Sequence, residues 1–373
     1  MKVLHIIGGG DIGGAKTHVL SLVKELSNLI DVKIVSLRTG IFSDEARDMG
    51  INIEVVRSGN VFSDIRRIMS IIKHEGYEII HSHGAKANLF SVIIRCFVKV
   101  HTITTVHSDY RLDYLQSVPR MLSFGTINTL ALRFIDYYVA VSGNFKKMLV
   151  QRKFDTDKIF IVYNGIDFSR QIKNYSRIDF ANKYKLNIDD KDIVVGILAR
   201  LDPVKGINIF VNAAAEVLKS TPQVKFIVGG DGKERKSLEA MAASLGISDN
   251  VLFPGWIDDP LEFMSIIDIN TLTSLSESFP YVILEGTLLK KATVSSDVGG
   301  ISDLIENGVT GFLFTPGDHM KLAEHLTLLV NDSTTRKEIG KRIHQKASSH
   351  FSLESMCNTQ FSIYKKILDK KSQ

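Results

Sequence analysis

Two glutamates stand eight residues apart in "SESFPYVILEG" (276–286). Glu277 precedes a helix start. Glu285 lies inside the helix, where Val282, Ile283 and Leu284 beside it make a merely solvated charge a poor explanation. A carboxylate there can accept both hydroxyls of a ribose, and one at the helix entrance can accept sugar hydroxyls. The free N–H groups of the helix N-terminus favour a negative or hydroxylated ligand. Pro280 suits the first turn, although it gives up one donor.

Upstream, "GILARLDPVKG" (196–206) ends a strand with Arg200 and places Lys205 in the turn that follows. Two fixed cations at a strand end can neutralise a departing diphosphate. The same residues allow a plainer arrangement, in which Arg200 pairs with Asp202 and Lys205 caps a turn beside Gly206. "VGGDGKE" (228–234) sets Gly230 and Asp231 after another strand, in a turn that permits close backbone approach. "FPGWIDD" (253–259) follows the strand "NVLF" and can hold a nucleobase by its edge and backbone. Its Trp256 either takes part or is simply buried.

The opening stretch "HIIGGGDIGGAKTH" (5–18) carries two overlapping phosphate signatures. A P-loop needs Lys directly after its second glycine, and here Ala15 separates Gly14 from Lys16. Gly8, Gly10 and Gly13 do fit a dinucleotide fingerprint between a strand and a helix. A nicotinamide site also wants a carboxylate after the second strand. That strand, "VKIVSLR", ends in Ser36, Leu37 and Arg38. Arg38 suits a 2′-phosphate, so an NADP-dependent oxidoreductase stands as an alternative reading.

The elements that must position these residues alternate between strand-like and helix-like runs. "KVLHII", "VKIVSL", "INIEVV", "EIIHSH", "VHTITTVH", "YYVAVS" and "IFIVYNG" read as strands in the first half, most of them separated by helical periodicity. A polar segment around 164–192 breaks the pattern and includes an inter-domain linker. It restarts with "IVVGILARL", "KFIVGGDG", "NVLFPGWI", "INTLTSL", "ATVSSD" and "GFLFTP". The reading is α/β, with two Rossmann-like βαβ domains facing across a cleft. One covers residues 1–170, with a helical tail from about 355–373 returning to it, and the other covers 171–354. Ligands of such sheets lie beyond the carboxyl ends of the strands.

A chain of 373 residues fits two domains, since single cores seldom exceed about 250–300 residues. At 44% hydrophobic and 23% charged it is ordinary for a globular protein. No signal peptide is visible, and the most apolar runs are broken by Arg95, Lys99, Arg133 and Asp136, short of a bilayer span. Cys96 and Cys357 form neither a metal pattern nor a disulfide framework, which fits a reducing cytoplasm. Residues 1–170 are net +6 and residues 171–373 net −1. The basic half suits an anionic partner, either a phosphorylated acceptor or the headgroups at the inner face of a membrane, or is an ordinary solvated surface. Aromatic residues do not interleave with a basic run, so nucleic acid is not a partner.

Taken in order, "GGDIGG", "TVHS", "VSGNFKK", "VYNGID", "GILARLDPVKG", "VGGDG", "VLFPGW", "ESFPYVILEG" and "SSDVGGISDLIENGVTGFLF" resemble the landmarks of glycosyltransferase family 4, retaining enzymes of the GT-B fold. The resemblance runs nearly end to end. It implies transfer of a sugar from a nucleotide-sugar, with UDP favoured and GDP second, to a sugar, lipid-linked or other small-molecule acceptor. Bacterial polysaccharide, glycolipid or glycoconjugate synthesis is the implied setting. In that family the E-x7-E pair, here Glu277 and Glu285 with the intervening Ser278, Phe279, Pro280 and Tyr281, binds the donor, and Arg200 and Lys205 hold its diphosphate. Gly230 and Trp256 complete the donor side. Gly13 and Gly14 approach the donor phosphate or the acceptor, and His107 sits near the transferred sugar. His83, Lys86, Asp109 and Arg111 are acceptor-side candidates. Many relatives have glycine where Pro280 stands, so a backbone donor to the sugar is lost or passes to Tyr281.

A metal-dependent transferase would present D-x-D after a strand. Asp155/Asp157 and Asp190/Asp192 lie instead in polar segments that read as caps or turns. No essential metal or cofactor is expected; the nucleotide-sugar is a substrate. A nucleotide-sugar epimerase or hydrolase of the same fold is the other alternative.

Overall fold

The computed structural model describes residues 1–9, 13–111 and 125–369. Packing divides the chain into two compact units, Met1–Gly165 with Leu353–Gln373, and Ile166–Ser352.

The first unit holds a seven-stranded sheet. Its strands are Lys2–Ile7 (β1), Asp31–Ser36 (β2), Ile53–Val55 (β3), Ile79–His83 (β4), His101–Val106 (β5), Tyr137–Ala140 (β6) and Ile159–Ile161 (β7). Their order is β3-β2-β1-β4-β5-β6-β7, and every pairing is parallel. Because side chains alternate along a strand, each strand feeds two cores. Leu4, Ile6 and Ile80 face helices Val61–Glu75 and Ala85–Arg95, meeting Ile68, Ile72, Phe90 and Ile94. Val3, Ile7, Ile79 and Ile103 face the opposite way. There they meet Leu22, Val23 and Leu26 of helix Gly14–Leu26, and Met356, Ile363 and Tyr364 of the last helix, Leu353–Asp369. Each such fully buried aliphatic side chain contributes about 1.5–3 kcal/mol relative to exposure.

The second unit repeats the plan with six parallel strands: Val194–Leu198 (β8), Lys225–Gly229 (β9), Val251–Gly255 (β10), Ile269–Leu272 (β11), Ala292–Ser296 (β12) and Phe312–Phe314 (β13). Their order is β10-β9-β8-β11-β12-β13. One face packs on helices Ile207–Leu218 and His319–Asn331, and the other on Pro260–Ile266. The polar stretch read as containing a linker also carries helix Arg177–Tyr184, anchored by Phe180 and Ala181 in the second of these cores.

The strand order reverses at the same relative place in both sheets. In the first, β1 neighbours β4; in the second, β8 neighbours β11. At such a switch point the connections leave on opposite faces, and a crevice opens beyond the strand ends.

Candidate functional site

The second unit's switch point is where Lys205 and Glu277 meet. Residues Pro203–Lys205 form a single 3-10 turn after β8, and Glu277 follows β11. Lys205 Nζ lies 2.5 Å from Glu277 Oε1, with only 20% and 11% of the two side chains exposed. The Ser274 hydroxyl donates to the same carboxylate oxygen at 2.7 Å, and the Thr273 hydroxyl donates to the Lys205 carbonyl at 2.9 Å. Ser296 donates in turn to the Ser274 carbonyl at 2.7 Å.

Two glycines allow this approach. Gly206 has φ +59, and a Cβ there would stand 2.5 Å from the Thr273 carbonyl oxygen. Gly299, also at φ +59, would place its Cβ 2.1 Å from the Glu277 carbonyl oxygen. Only glycine tolerates both the backbone angle and the contact. In the sequence Gly206 was read only as part of a turn and Gly299 only as part of a glycine-rich landmark, and Thr273, Ser274 and Ser296 were not singled out. The signal was present in the glycine doublet of "DVGGIS" and the hydroxyl run of "TLTSLS".

Arg200 is well exposed and pairs with Asp202 at 3.0 Å, the plainer of the two arrangements open to it. Gly230 has φ +122, and a Cβ there would collide with the Ala199 carbonyl at 1.9 Å, so its close approach is to the strand-end loop of β8. Trp256 is 63% exposed, which rules out its burial as an explanation.

Helix Tyr281–Leu288 begins one residue later than the sequence implied: Pro280 is the N-cap, with φ −77 and ψ 129, and lies outside the first turn. Ser278 uses its carbonyl to accept from Gly300 N at 2.7 Å. Phe279 is buried and stacked on Phe351, so its side chain serves packing. Burial raises the Glu285 carboxyl to about 7, with the Asp259 carboxylate pushing the same way and Arg170 opposing. Burial and the charge of Glu285 raise the Tyr281 phenol, whose hydroxyl is buried without a partner among the described residues. A buried phenol without a partner is a polar group for which a ligand hydroxyl would supply one.

In the first unit the opening loop is described only in part: Gly10, Asp11 and Ile12 lie outside the described residues. Gly9, at φ +79, packs against the Ser36 hydroxyl. Gly13 (φ +91) caps the helix that Gly14 begins, and among the described residues beyond its chain neighbours no atom lies within 4 Å of where its Cβ would be. Lys16 pairs with Glu45 at 2.5 Å, a use unlike that of a P-loop lysine.

His107 follows β5 directly and is partly exposed. Its Nε2 lies 3.0 Å from His83 Nδ1. His83 is almost fully buried, and its Nε2 lies 3.0 Å from His5 Nδ1, so both ring nitrogens are engaged inside the unit. His83 therefore has both ring nitrogens committed to other histidines, an arrangement unlike that of a direct acceptor contact. Lys86 is exposed over the Phe90 ring. Asp109 pairs with Arg152 at 2.7 Å and accepts from Arg111 N at 3.0 Å. Arg111 lines a pocket with Tyr110, Thr129, Leu130 and Arg133.

Four further buried groups join this cluster without having been singled out: His5, His18, His81 and Tyr364. Period-two alternation could have flagged His81 and His83 as sharing a sheet face; His5 and Tyr364 needed the tertiary fold. Burial lowers all five imidazoles, His5 to about 3 and His18 to about 4, with His81, His83 and His107 well below the usual value. One ring nitrogen each of His5, His81 and His83 lie within 4.8 Å of one another, near enough to gather around a metal ion. Every ring nitrogen of the three is already in a hydrogen bond, so a metal would have to displace those bonds.

Residues 12–170 match the family model described as Glycosyltransferase Family 4, and residues 179–346 match Glycosyl transferases group 1. The chain belongs to glycosyltransferase family 4. Its two parallel sheets are the Rossmann-like pair of the GT-B fold. Among relatives of this family 4 chain, the O-antigen biosynthesis glycosyltransferase WclY of Escherichia coli is 25% identical over 98% of both chains. The capsular polysaccharide biosynthesis glycosyltransferase CapM of Staphylococcus aureus is 25% identical over 88% of this chain and 90% of that one. A crystal structure of Anabaena HepE in complex with UDP superposes with a TM-score of 0.85 at 25% identity, covering 98% of this chain and 100% of that one.

The family membership accounts for several quoted landmarks as structural parts. In "VSGNFKK", the Ser142 hydroxyl accepts from Phe145 N and caps the helix that follows β6. In "VYNGID", Asn164 Oδ1 accepts from His18 Nδ1 at 2.8 Å. No described helix is long and apolar enough to cross a membrane.

Proposed function

We propose that this glycosyltransferase moves a sugar from a UDP-sugar to a saccharide or lipid-linked acceptor, with retention of anomeric configuration, in the assembly of a bacterial surface polysaccharide. The observation that carries the reading is the Lys205–Glu277 pair at the β8/β11 switch point, with Arg200 and Glu285 in the same unit. The UDP bound to HepE and the polysaccharide roles named for WclY and CapM support the donor and the setting.

In this reading residues 166–352 bind the donor. Lys205 and Arg200 meet the diphosphate, Glu285 accepts the ribose hydroxyls, and Glu277 holds the sugar. Residues 1–165 bind the acceptor, with His107 hydrogen-bonded to a hydroxyl of the transferred sugar. Gly13 and Gly14 leave room for substrate, and the basic surface of this unit meets an anionic acceptor or the inner face of a membrane.

The reaction breaks the bond between the anomeric carbon and the diphosphate oxygen and forms one to an acceptor oxygen on the same face. The acceptor's proton passes to the departing diphosphate. Charge is neutralised by side chains, so no metal is essential.

Calorimetry with UDP and GDP, followed by product analysis with and without acceptor, tests the reading. UDP binding and acceptor-dependent release of UDP are expected. Release without acceptor would favour a hydrolase, conversion of the donor to an isomer an epimerase, and inversion at the anomeric carbon would remove the retaining mechanism.

A further inference from the structure

One face of the first sheet carries a continuous file of polar rings. His81 and His83 are two residues apart on β4 and so project to the same side, as do His5 on β1, in register with His81, and Thr105 on β5, in register with His83. This is the face covered by the last helix, which brings in Tyr364. Tyr364 is fully buried, yet its hydroxyl has two partners: His81 Nδ1 at 2.6 Å and His5 Nε2 at 3.2 Å. His81 Nε2 lies 2.7 Å from the Thr105 hydroxyl. With the links of His5 to His83 and His83 to His107, the file runs unbroken from Thr105 to His107.

A neutral imidazole has one N–H and one lone pair, and a hydroxyl has one hydrogen to give. In a file of such groups the direction of one bond dictates the next. Along the imidazoles from His5 to His107, reversing a single link would set two N–H groups, or two lone pairs, face to face in a buried site, and the Tyr364 hydroxyl sets the sense of that run when it donates to one neighbour and accepts from the other. The direction is therefore a property of the whole file.

Tyr364 decides which direction is taken. Its contact with His81 Nδ1 is 2.6 Å and that with His5 Nε2 is 3.2 Å, and the phenol has one hydrogen to give. With that hydrogen assigned to the shorter contact, the phenol donates to His81 Nδ1 and accepts from His5 Nε2. His5 Nδ1 then accepts from His83 Nε2, and His83 Nδ1 accepts from His107 Nε2.

We propose that Tyr364 is a positioning residue, which through His5 and His83 locks His107 as the Nε2–H tautomer and so presents Nδ1 as a hydrogen-bond acceptor to a sugar hydroxyl. The assignment of that hydroxyl rests on the role proposed above for His107; the tautomer does not. Burial of the rings supports it, since all of them disfavour the charged form in which direction would be lost.

The test uses the full chain with ¹⁵N-labelled histidine, whose long-range ¹H–¹⁵N correlations distinguish the two neutral tautomers. His107 in the unsubstituted protein should be a single Nε2–H species. Tyr364→Phe keeps the ring volume and removes the hydroxyl; His5, His83 and His107 should then show mixed tautomers. Turnover should fall about ten- to a hundredfold, as when orienting partners of functional histidines are removed elsewhere, with the donor KM little changed. If Tyr364→Phe does not fold, Thr105→Val breaks the far end of the same file and is read in the same way. An Nδ1–H or mixed His107 in the unsubstituted protein, or a tautomer unmoved by the substitution, overturns the proposal. Full turnover in His107→Gln alongside a single Nε2–H tautomer would instead sink the catalytic reading of His107 and leave the locking intact.

Discussion

Lys205 and Glu277 neutralise each other across the β8/β11 switch point, Nζ to Oε1 at 2.5 Å, although 72 residues separate them. Roles assigned to each alone, cation for the diphosphate and carboxylate for the sugar, are thus coupled before any ligand arrives. In the proposed reading a diphosphate would share Lys205 with Glu277.

That coupling sets the sign of a substitution. Lys205→Met should weaken UDP by roughly 1.5–3 kcal/mol, the worth of a hydrogen bond to a charged group. Glu277→Gln should leave UDP binding unchanged or tighter, because it frees Lys205, while depressing turnover with the full donor. Calorimetry beside steady-state kinetics separates the two. Equal weakening of UDP in both variants would mean that the pair holds the nucleotide as one unit.

Glu285 predicts a pH dependence. Its carboxyl is raised to about 7 in the folded chain from an ordinary 4.5. The folded state therefore holds the proton more tightly, so this group's contribution to stability is full below about 4.5 and is lost as pH rises through about 7. Glu285→Gln should remove that slope in denaturant titrations at several pH values. If the ionised carboxylate accepts the ribose, UDP affinity should rise across the same upper window in the unsubstituted chain and stay flat in the Gln variant. A flat profile in both places the ribose elsewhere.

Gly299 should be intolerant of alanine. A Cβ at φ +59 meets the Glu277 carbonyl oxygen at 2.1 Å, so Gly299→Ala must move the loop that carries Glu277. A loss of more than about 1 kcal/mol in stability, together with a raised donor KM, is expected. Gly13→Ala has open space around its Cβ and only φ +91 against it, so its cost should be smaller. Thermal melts of the two variants, compared directly, check the ranking, and an equal cost would contradict it.

Chelation tests the absence of a metal requirement. Turnover should persist in excess chelator, and Arg200→Ala should slow it by roughly 2–4 kcal/mol, the scale of a lost oxyanion donor. Activity abolished by chelator and restored by Mn²⁺ or Mg²⁺ would assign charge neutralisation to a metal. His5, His81 and His83 would then be the first residues to substitute.

Much of the fold was legible because its signals are local. Apolar runs at strand spacing alternate with helical periodicity, and this pointed to two βα sheets and a helical tail. Arg200, Lys205, Glu277 and Glu285 could be picked out as candidates for the same reason, as each sits in a short stretch whose glycines and prolines mark a strand end. Strand order is not local. Only the tertiary structure set β11 beside β8, bringing Lys205 to Glu277 and making Gly206 and Gly299 indispensable to that contact. His5 and Tyr364 make the point most sharply: 359 residues apart, each was unremarkable in its own segment. They meet because the last helix covers the sheet face onto which β1 and β4 project their histidines, and the hydrogen bonds of a buried polar file exist only once that face is closed.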